Sequence, residues 1–346
     1  MRRLYEPYEY ACMKKILIFL VFLVFIVVVA YVADAFKPTQ PLTLTKVTVQ
    51  LGWLVNANQA GFFVAQKKGF YAEEGLDVTN KPGGPDFPSI VLVTSGAADF
   101  GVESGAESIL LARQNDIPIK AVAILDRKSP YVFFSKKSSG ISSPKDFEGK
   151  TVAVSYGRPL EVVYRALVRK ERLATSTITE VKKNPAIASL FSGAVDVQPG
   201  FISDFIFAKA AGKKDGIEIN ALYPFEYGID SYGYTIFTTD RFIEEHPDTV
   251  QKYIRATLRG WKYAFDYPEE AVDMVAAEMQ GTVDKEAELE ALKTRAAYVL
   301  PNTDGETLGW MDEAKWQTMQ DTLLEQGLMA KPLNLQDVYT NQFLKI

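Results

Sequence analysis

Residues able to meet a flat, polar ligand gather at one strand-to-helix corner. The stretch LGWLVNANQAGFFVAQKKGFYAEEGLDV (residues 51–78) ends a strand-like run in Trp53. It then presents Asn56, Asn58 and Gln59 before helical spacing begins. An indole stacks well on a planar ring. Carboxamides offer a donor and an acceptor together, which matches the mixed edge of a nitrogen heterocycle. Each also has a plainer reading. Tryptophan is buried on average, so Trp53 can simply fill the core, and the amides can simply cap the helix that follows.

Similar groups recur wherever strand signals give way to helix signals: Gly84, Glu103 with Ser104, Ser155 with Gly157 and Arg158, and Ser203. Tyr227, Asp230 and Tyr232 lie on a later return passage. Ligands of open α/β sheets bind outside the carboxyl ends of the strands, so all of these are expected on one cleft. Trp53, Tyr227 and Tyr232 would stack on a ring, and Glu103 and Asp230 would accept from amino groups. Backbone N–H groups at the helix starts after Gly105 and Gly157 would hold an anionic group, supported by Arg158. The plainer reading of Arg158 is a surface ion pair of little worth.

Several chemistries are excluded. His246 is the only histidine and Cys12 the only cysteine, so no zinc pattern and no serine–histidine or cysteine–histidine pair is available. His246 precedes Pro247 and reads as a turn residue at a helix start. No glycine-lysine phosphate loop or dinucleotide fingerprint is present, and the GGPDFP run is too proline-rich to open a helix over a pyrophosphate. No catalytic residue, metal or cofactor is expected. A formal net charge of -5 argues against a nucleic-acid partner.

The elements that position these groups alternate. KVTVQLGW, LDVTNK, ADFGVES and IKAVAILD read as strands, with helices QAGFFVAQKKGFYAEEG, PSIVLVTSGA and AESILLARQND between them. A second series runs through TVAVSYG, PLEVVYRALVRKERL, TITEVKKN and PAIASLFSGAVDVQPG. Two mostly parallel α/β units follow, joined by extended passages near residues 125–135 and 232–239. Two crossings mean that the second unit interrupts the first, an arrangement that suits a hinge. The expected division is residues 46–128 with 236–346 as the first lobe and residues 129–235 as the second. At 346 residues and 47% apolar, the chain has material for both.

The N-terminus has export character. Lys14 and Lys15 precede an unbroken apolar run, residues 16–32, and Ala33-Asp34-Ala35 makes a small-x-small cleavage site. Residues 1–35 are expected to be a signal peptide or, uncleaved, a membrane anchor, since the run approaches bilayer length. Residues 36–45 read as a proline-punctuated linker.

The runs GWLVNANQAGFFVAQKKGFYAEEGLDV, VTSGAADFGV, ISSPKDFEGKTVAV and YGIDSYGYTIFTTD resemble, in that order, the substrate-binding proteins of ABC importers. The branch is the SsuA/thiamine-pyrimidine-synthesis-like family, and the likeness runs from about Lys46 to the end. It implies a type II periplasmic-binding-protein fold, with the ligand cleft between two lobes. It also implies a small-molecule ligand, permease and ATPase partners, and export. A monomer is expected. The implied ligand is a pyrimidine or thiamine precursor, with an alkylsulfonate, nitrate or riboflavin-like molecule as alternatives. A membrane-anchored sensing domain is a further alternative. The family also holds a pyrimidine synthase that uses a lysine and a histidine after the strand matching ADFGV, and a cysteine-rich run on the return passage. Here those positions carry Glu103, Glu107 and the Asp230-Ser-Tyr-Gly-Tyr234 run. Gln59 replaces a histidine often found in the precursor binders.

Overall fold

The computed structural model describes residues 44–344, apart from 85, 185–186, 280, 282 and 301–306, and eight helical positions between Met13 and Ile26. The cleavage site at 33–35 and residues 36–43 of the linker lie outside the described residues. At the described N-terminal positions, Phe19, Leu20, Phe22, Leu23, Phe25 and Ile26 are exposed. Among the described residues no helix is long and apolar enough to cross a membrane. Residues 1–43 and 44–346 are separate compact units.

In the larger unit, β1 (Thr45–Gln50), β2 (Leu76–Lys81), β3 (Phe100–Glu103) and β4 (Ile119–Ile124) belong to one sheet. β5 (Tyr131–Lys136), β6 (Thr151–Val154), β7 (Thr179–Lys182), β8 (Val197–Phe201) and β9 (Ile219–Leu222) form a second. β10 (Thr235–Thr239) returns to the first. The orders are β2-β1-β3-β10-β4 and β7-β6-β8-β5-β9. The strand and helix signals of the sequence are realised with shifted ends. In β2, Leu76, Val78 and Asn80 face inward while Asp77, Thr79 and Lys81 face solvent, as alternation predicts. The expected helix over QAGFFVAQKKGFYAEEG splits into Ala60–Lys67 and Phe70–Glu73. Gly69 at φ 77 takes the left-handed turn between them.

The two extended passages do more than cross. β5 lies antiparallel between β8 and β9, and β10 lies antiparallel between β3 and β4. The geometry is forced. Each crossing leaves one sheet at the cleft and enters the other from its carboxyl edge, so it must run against the parallel strands there. The lobes also meet beside the hinge. Ile202 and Ile206 at the start of the helix Ile202–Lys214 belong to the same apolar core as Val49, Phe62 and Leu292 of the first lobe.

Candidate functional site

At the corner after β1, the chain bends through residues 52–56 and enters a short 3-10 turn, Ala57–Gln59. The turn's own donors claim much of the amide chemistry. Asn56 Oδ1 accepts from the Asn58 N–H at 2.9 Å, and Gln59 Oε1 accepts from the Asn56 N–H at 3.0 Å. Gln59 is wholly buried, and its Nε2 donates to the Tyr234 hydroxyl at 3.2 Å. The capping reading therefore accounts for Asn56 and Gln59, because unpaired turn N–H groups are costly to bury. Asn58 does something else. Its Nδ2 donates to Ser203 Oγ at 2.8 Å, across from the first lobe to the second.

A buried ion pair holds this corner. Arg295, on the helix Lys285–Val299, donates to the Asn58 carbonyl at 2.6 Å and lies 3.0 Å from Asp126. Its guanidinium sits 4.3 Å over the Tyr234 ring and 4.6 Å over the Trp261 ring. Asp126 in turn accepts from the Tyr234 N–H at 3.0 Å, tying one hinge passage to the other. Burial raises the Asp126 carboxyl, with the Arg295 charge as the main opposing pull. Phe201, at the end of β8, packs on Tyr131 at 5.3 Å and on Tyr234 at 6.2 Å. Sequence reasoning missed Arg295, Asp126, Tyr131, Phe201 and Tyr234 as a group. Only Tyr234 carried a signal, as an aromatic on the return passage.

The other predicted residues lie at the remaining strand ends. Trp53 is half-buried, its carbonyl accepts from the Gly83 N–H at 2.9 Å, and no ring among the described residues packs on it. Gly84 sits beside Leu54 and Phe87, both exposed. Glu103, at the end of β3, accepts from the Ser89 hydroxyl. Burial raises its carboxyl, opposed by the Ser89 and Ser108 hydroxyls and by attraction to Arg158. The Ser104 carbonyl accepts from the Tyr131 hydroxyl at 3.3 Å, and Tyr131 also reaches Glu107 Oε2 at 3.3 Å. Glu107 is buried, which pushes its carboxyl up to about 7 against the pull of the Ser231 and Tyr131 hydroxyls and of Lys315.

The helix starts are poorer anion seats than expected. The Gly157 N–H donates to the Glu161 carboxylate at 2.7 Å, the Arg158 N–H to the Ser155 carbonyl at 3.1 Å, and Pro159 has no N–H. At the other start, the Ala106 N–H donates to the Tyr232 carbonyl at 3.2 Å. Arg158 is exposed at the rim.

The three predicted residues of the return passage make contacts with the scaffold. Asp230 pairs with Lys315 at 2.7 Å and accepts from the Ser129 N–H at 3.1 Å. Tyr232 is fully buried beside Trp316, and its hydroxyl accepts from the Asp312 N–H at 2.8 Å. Tyr227 packs on the core of the second lobe. Asp230 and Tyr232 are thus engaged by partners on the C-terminal helices, while Tyr227 is half-buried. Among the described residues no cluster could hold a metal ion.

Residues 56–271 match the family model described as NMT1/THI5 like. The riboflavin-binding protein RibY of Chloroflexus aurantiacus is 27% identical, over 89% of this chain and 88% of that protein. A formylaminopyrimidine-binding protein of Halalkalibacterium halodurans is 27% identical, over 86% of this chain and 90% of that one. A 4-amino-5-hydroxymethyl-2-methylpyrimidine phosphate synthase of Legionella pneumophila is 27% identical, over 67% of this chain and 73% of the enzyme. Among solved structures, the aliphatic sulphonate binding protein SsuA of Escherichia coli superposes with a TM-score of 0.64 at 15% identity, covering 84% of this chain and 91% of SsuA. The fold is thus that of the periplasmic binding proteins, with two α/β lobes around a cleft.

Proposed function

This chain belongs to the NMT1/THI5 like family, and we propose that it is the solute-binding component of an ABC importer. Its ligand is a small heteroaromatic molecule of the pyrimidine or thiamine-precursor type. The observation that carries the ligand class is the acidity at the strand end. Glu103 ends β3 and Glu107 opens the helix that follows, with only residues 104–106 between them, and the nearby helix-start N–H groups already have acceptors. A sulfonate or nitrate placed there would face two carboxyl groups and few free donors. An amino-substituted ring finds an acceptor in Glu103 and a stacking face in Trp53.

Capture proceeds by lobe closure. The ring settles on Trp53 and Glu103 of the first lobe, and the second lobe closes over it about the two hinge passages. The closed form docks on permease and ATPase partners, and the N-terminal run exports the chain. A synthase is the reading from another class, and relatives such as the Legionella protein carry that name. Against it, the positions matched to the enzyme's lysine and histidine hold Glu103 and Glu107, and a carboxylate cannot supply a lysine's amine. The 230–234 run is built into the scaffold.

A thermal-shift screen of the purified chain with aminopyrimidines, thiamine, riboflavin, alkylsulfonates and nitrate tests the reading, because a ligand bound only by the native state raises the melting temperature. A rise with an aminopyrimidine that is lost in Glu103→Gln is expected. A rise only with a sulfonate or nitrate would overturn the ligand class and leave the fold untouched.

A further inference from the structure

Glu288, on the helix Lys285–Val299, is a buried carboxyl at 5% exposure. It accepts from the Ala57 N–H at 2.7 Å, across 231 positions of chain. Burial raises this carboxyl, the Ala57 N–H opposes the rise, and among the described residues no cation helps to hold its charge. Burying a carboxyl without a counter-ion is expensive. A turn N–H can be satisfied by a neutral side chain, as Asn56 does one residue later. The position of Glu288 therefore asks for a further reason.

Its own helix supplies one. Arg295 lies seven residues on, about two turns along the same face, and donates to the Asn58 carbonyl at 2.6 Å. Glu288 and Arg295 thus grip residues 57–58 at both ends, the first N–H and the last carbonyl. The Asn58 N–H goes to Asn56 Oδ1. With its backbone held, Asn58 turns its side-chain amide to Ser203 Oγ, in the second lobe, at 2.8 Å. The gripping helix also lies along Ile202–Lys214, the second-lobe helix that carries Ser203 near its start. At the other end of that helix, Lys214 pairs with Asp284, the N-cap of the gripping helix, at 3.3 Å. That pair is exposed and worth little, so the buried contact at Asn58 carries the junction.

We propose that Glu288 is a positioning residue for ligand capture: it holds the Ala57–Gln59 turn so that Asn58 meets Ser203 when the lobes touch. This role rests on capture by lobe closure, as proposed above. A slack turn depopulates the lobe-to-lobe bond, and ligand affinity falls with the competent fraction.

The test uses the full chain. Glu288→Asp draws the carboxylate back by one carbon, away from the Ala57 N–H, while Glu288→Gln keeps an acceptor at full reach. Each is combined with Ser203→Ala and unfolded in urea without ligand. Glu288 and Ser203 share no hydrogen bond, so coupling between them must pass through the turn. In the Glu288→Asp background, Ser203→Ala should keep roughly half or less of its effect on the urea midpoint. In the Glu288→Gln background it should keep nearly all of it. Calorimetry then follows 4-amino-5-hydroxymethyl-2-methylpyrimidine. It should bind about threefold to tenfold more weakly to Glu288→Asp, as the loss of one hydrogen bond implies, and near wild-type strength to Glu288→Gln. Additive midpoints, or an affinity that Glu288→Asp leaves unaltered, would overturn the proposal. Coupled midpoints in a chain that binds no aminopyrimidine would sustain the positioning role and sink the ligand class alone.

Discussion

Asn58 donates its side-chain amide to the Ser203 hydroxyl at 2.8 Å, and this bond between two buried groups joins one lobe to the other. The residues are 145 positions apart in the chain. Ser203→Ala leaves the Asn58 amide buried and unpaired, so we predict a loss of about 1–3 kcal/mol in urea unfolding. The Asn58→Ala/Ser203→Ala double variant should show coupling of at least about 0.5 kcal/mol. Strict additivity would mean that the bond is not formed in solution.

Trp53 and Tyr232 should respond in opposite ways. Trp53 is half-buried and has no ring partner among the described residues. Trp53→Ala should weaken the cleft ligand by at least about 1 kcal/mol while barely changing the melting temperature. Tyr232 is a core residue beside Trp316, so Tyr232→Ala should destabilise the fold by about 3–5 kcal/mol, the range for large aromatic truncations. Calorimetry and thermal unfolding on both variants separate the two roles.

The Glu107 carboxyl rises from 4.5 to about 7 on folding because burial disfavours its charge. The folded state therefore holds the proton more tightly than the unfolded state. Stability from this group is fully present below pH 4.5 and declines as pH rises toward about 7. Glu107→Gln should flatten that decline and raise stability at pH 8 by up to about 3 kcal/mol. Urea midpoints measured across the window that fall in parallel for both proteins would refute the assignment.

Arg295 and Asp126 are 2% and 1% exposed. Arg295→Met leaves Asp126 charged and buried without its counter-ion, which should cost about 3–5 kcal/mol. Asp126→Asn in the same background should restore part of that loss, since it removes the stranded charge. A double variant no more stable than Arg295→Met would mean that packing against Tyr234 and Trp261, and not charge, sets the value of Arg295.

Local patterns carried the architecture, and distant partners decided the site. The alternation in LDVTNK and the spacing in PLEVVYRALVRKERL were enough to place β2 and the helix behind β6, because burial on one face leaves a periodic trace. The crossings at 125–135 and 232–239 were legible as extended chain. Their antiparallel seats were not, since those depend on which edge the chain enters. Asp230 and Tyr232 looked like cleft residues because the helix that engages them, with Lys315 and Trp316, comes more than 80 positions later. Arg295 sits in an ordinary helical run and reaches Asn58 from 237 residues away. Nothing in its neighbours marks it.

The seat of β10 between β3 and β4 has a consequence for biogenesis. As the polypeptide leaves the ribosome, the first sheet lacks a central member until residue 239 has emerged. By then the whole second sheet has already been made. The first half of the chain cannot complete itself early, and its long-range pairings close slowly. Under the proposed export that delay is useful, because translocation needs a thread and not a finished body. The same interleaving makes the two halves interdependent once they have crossed, so neither half is expected to survive alone as a fragment.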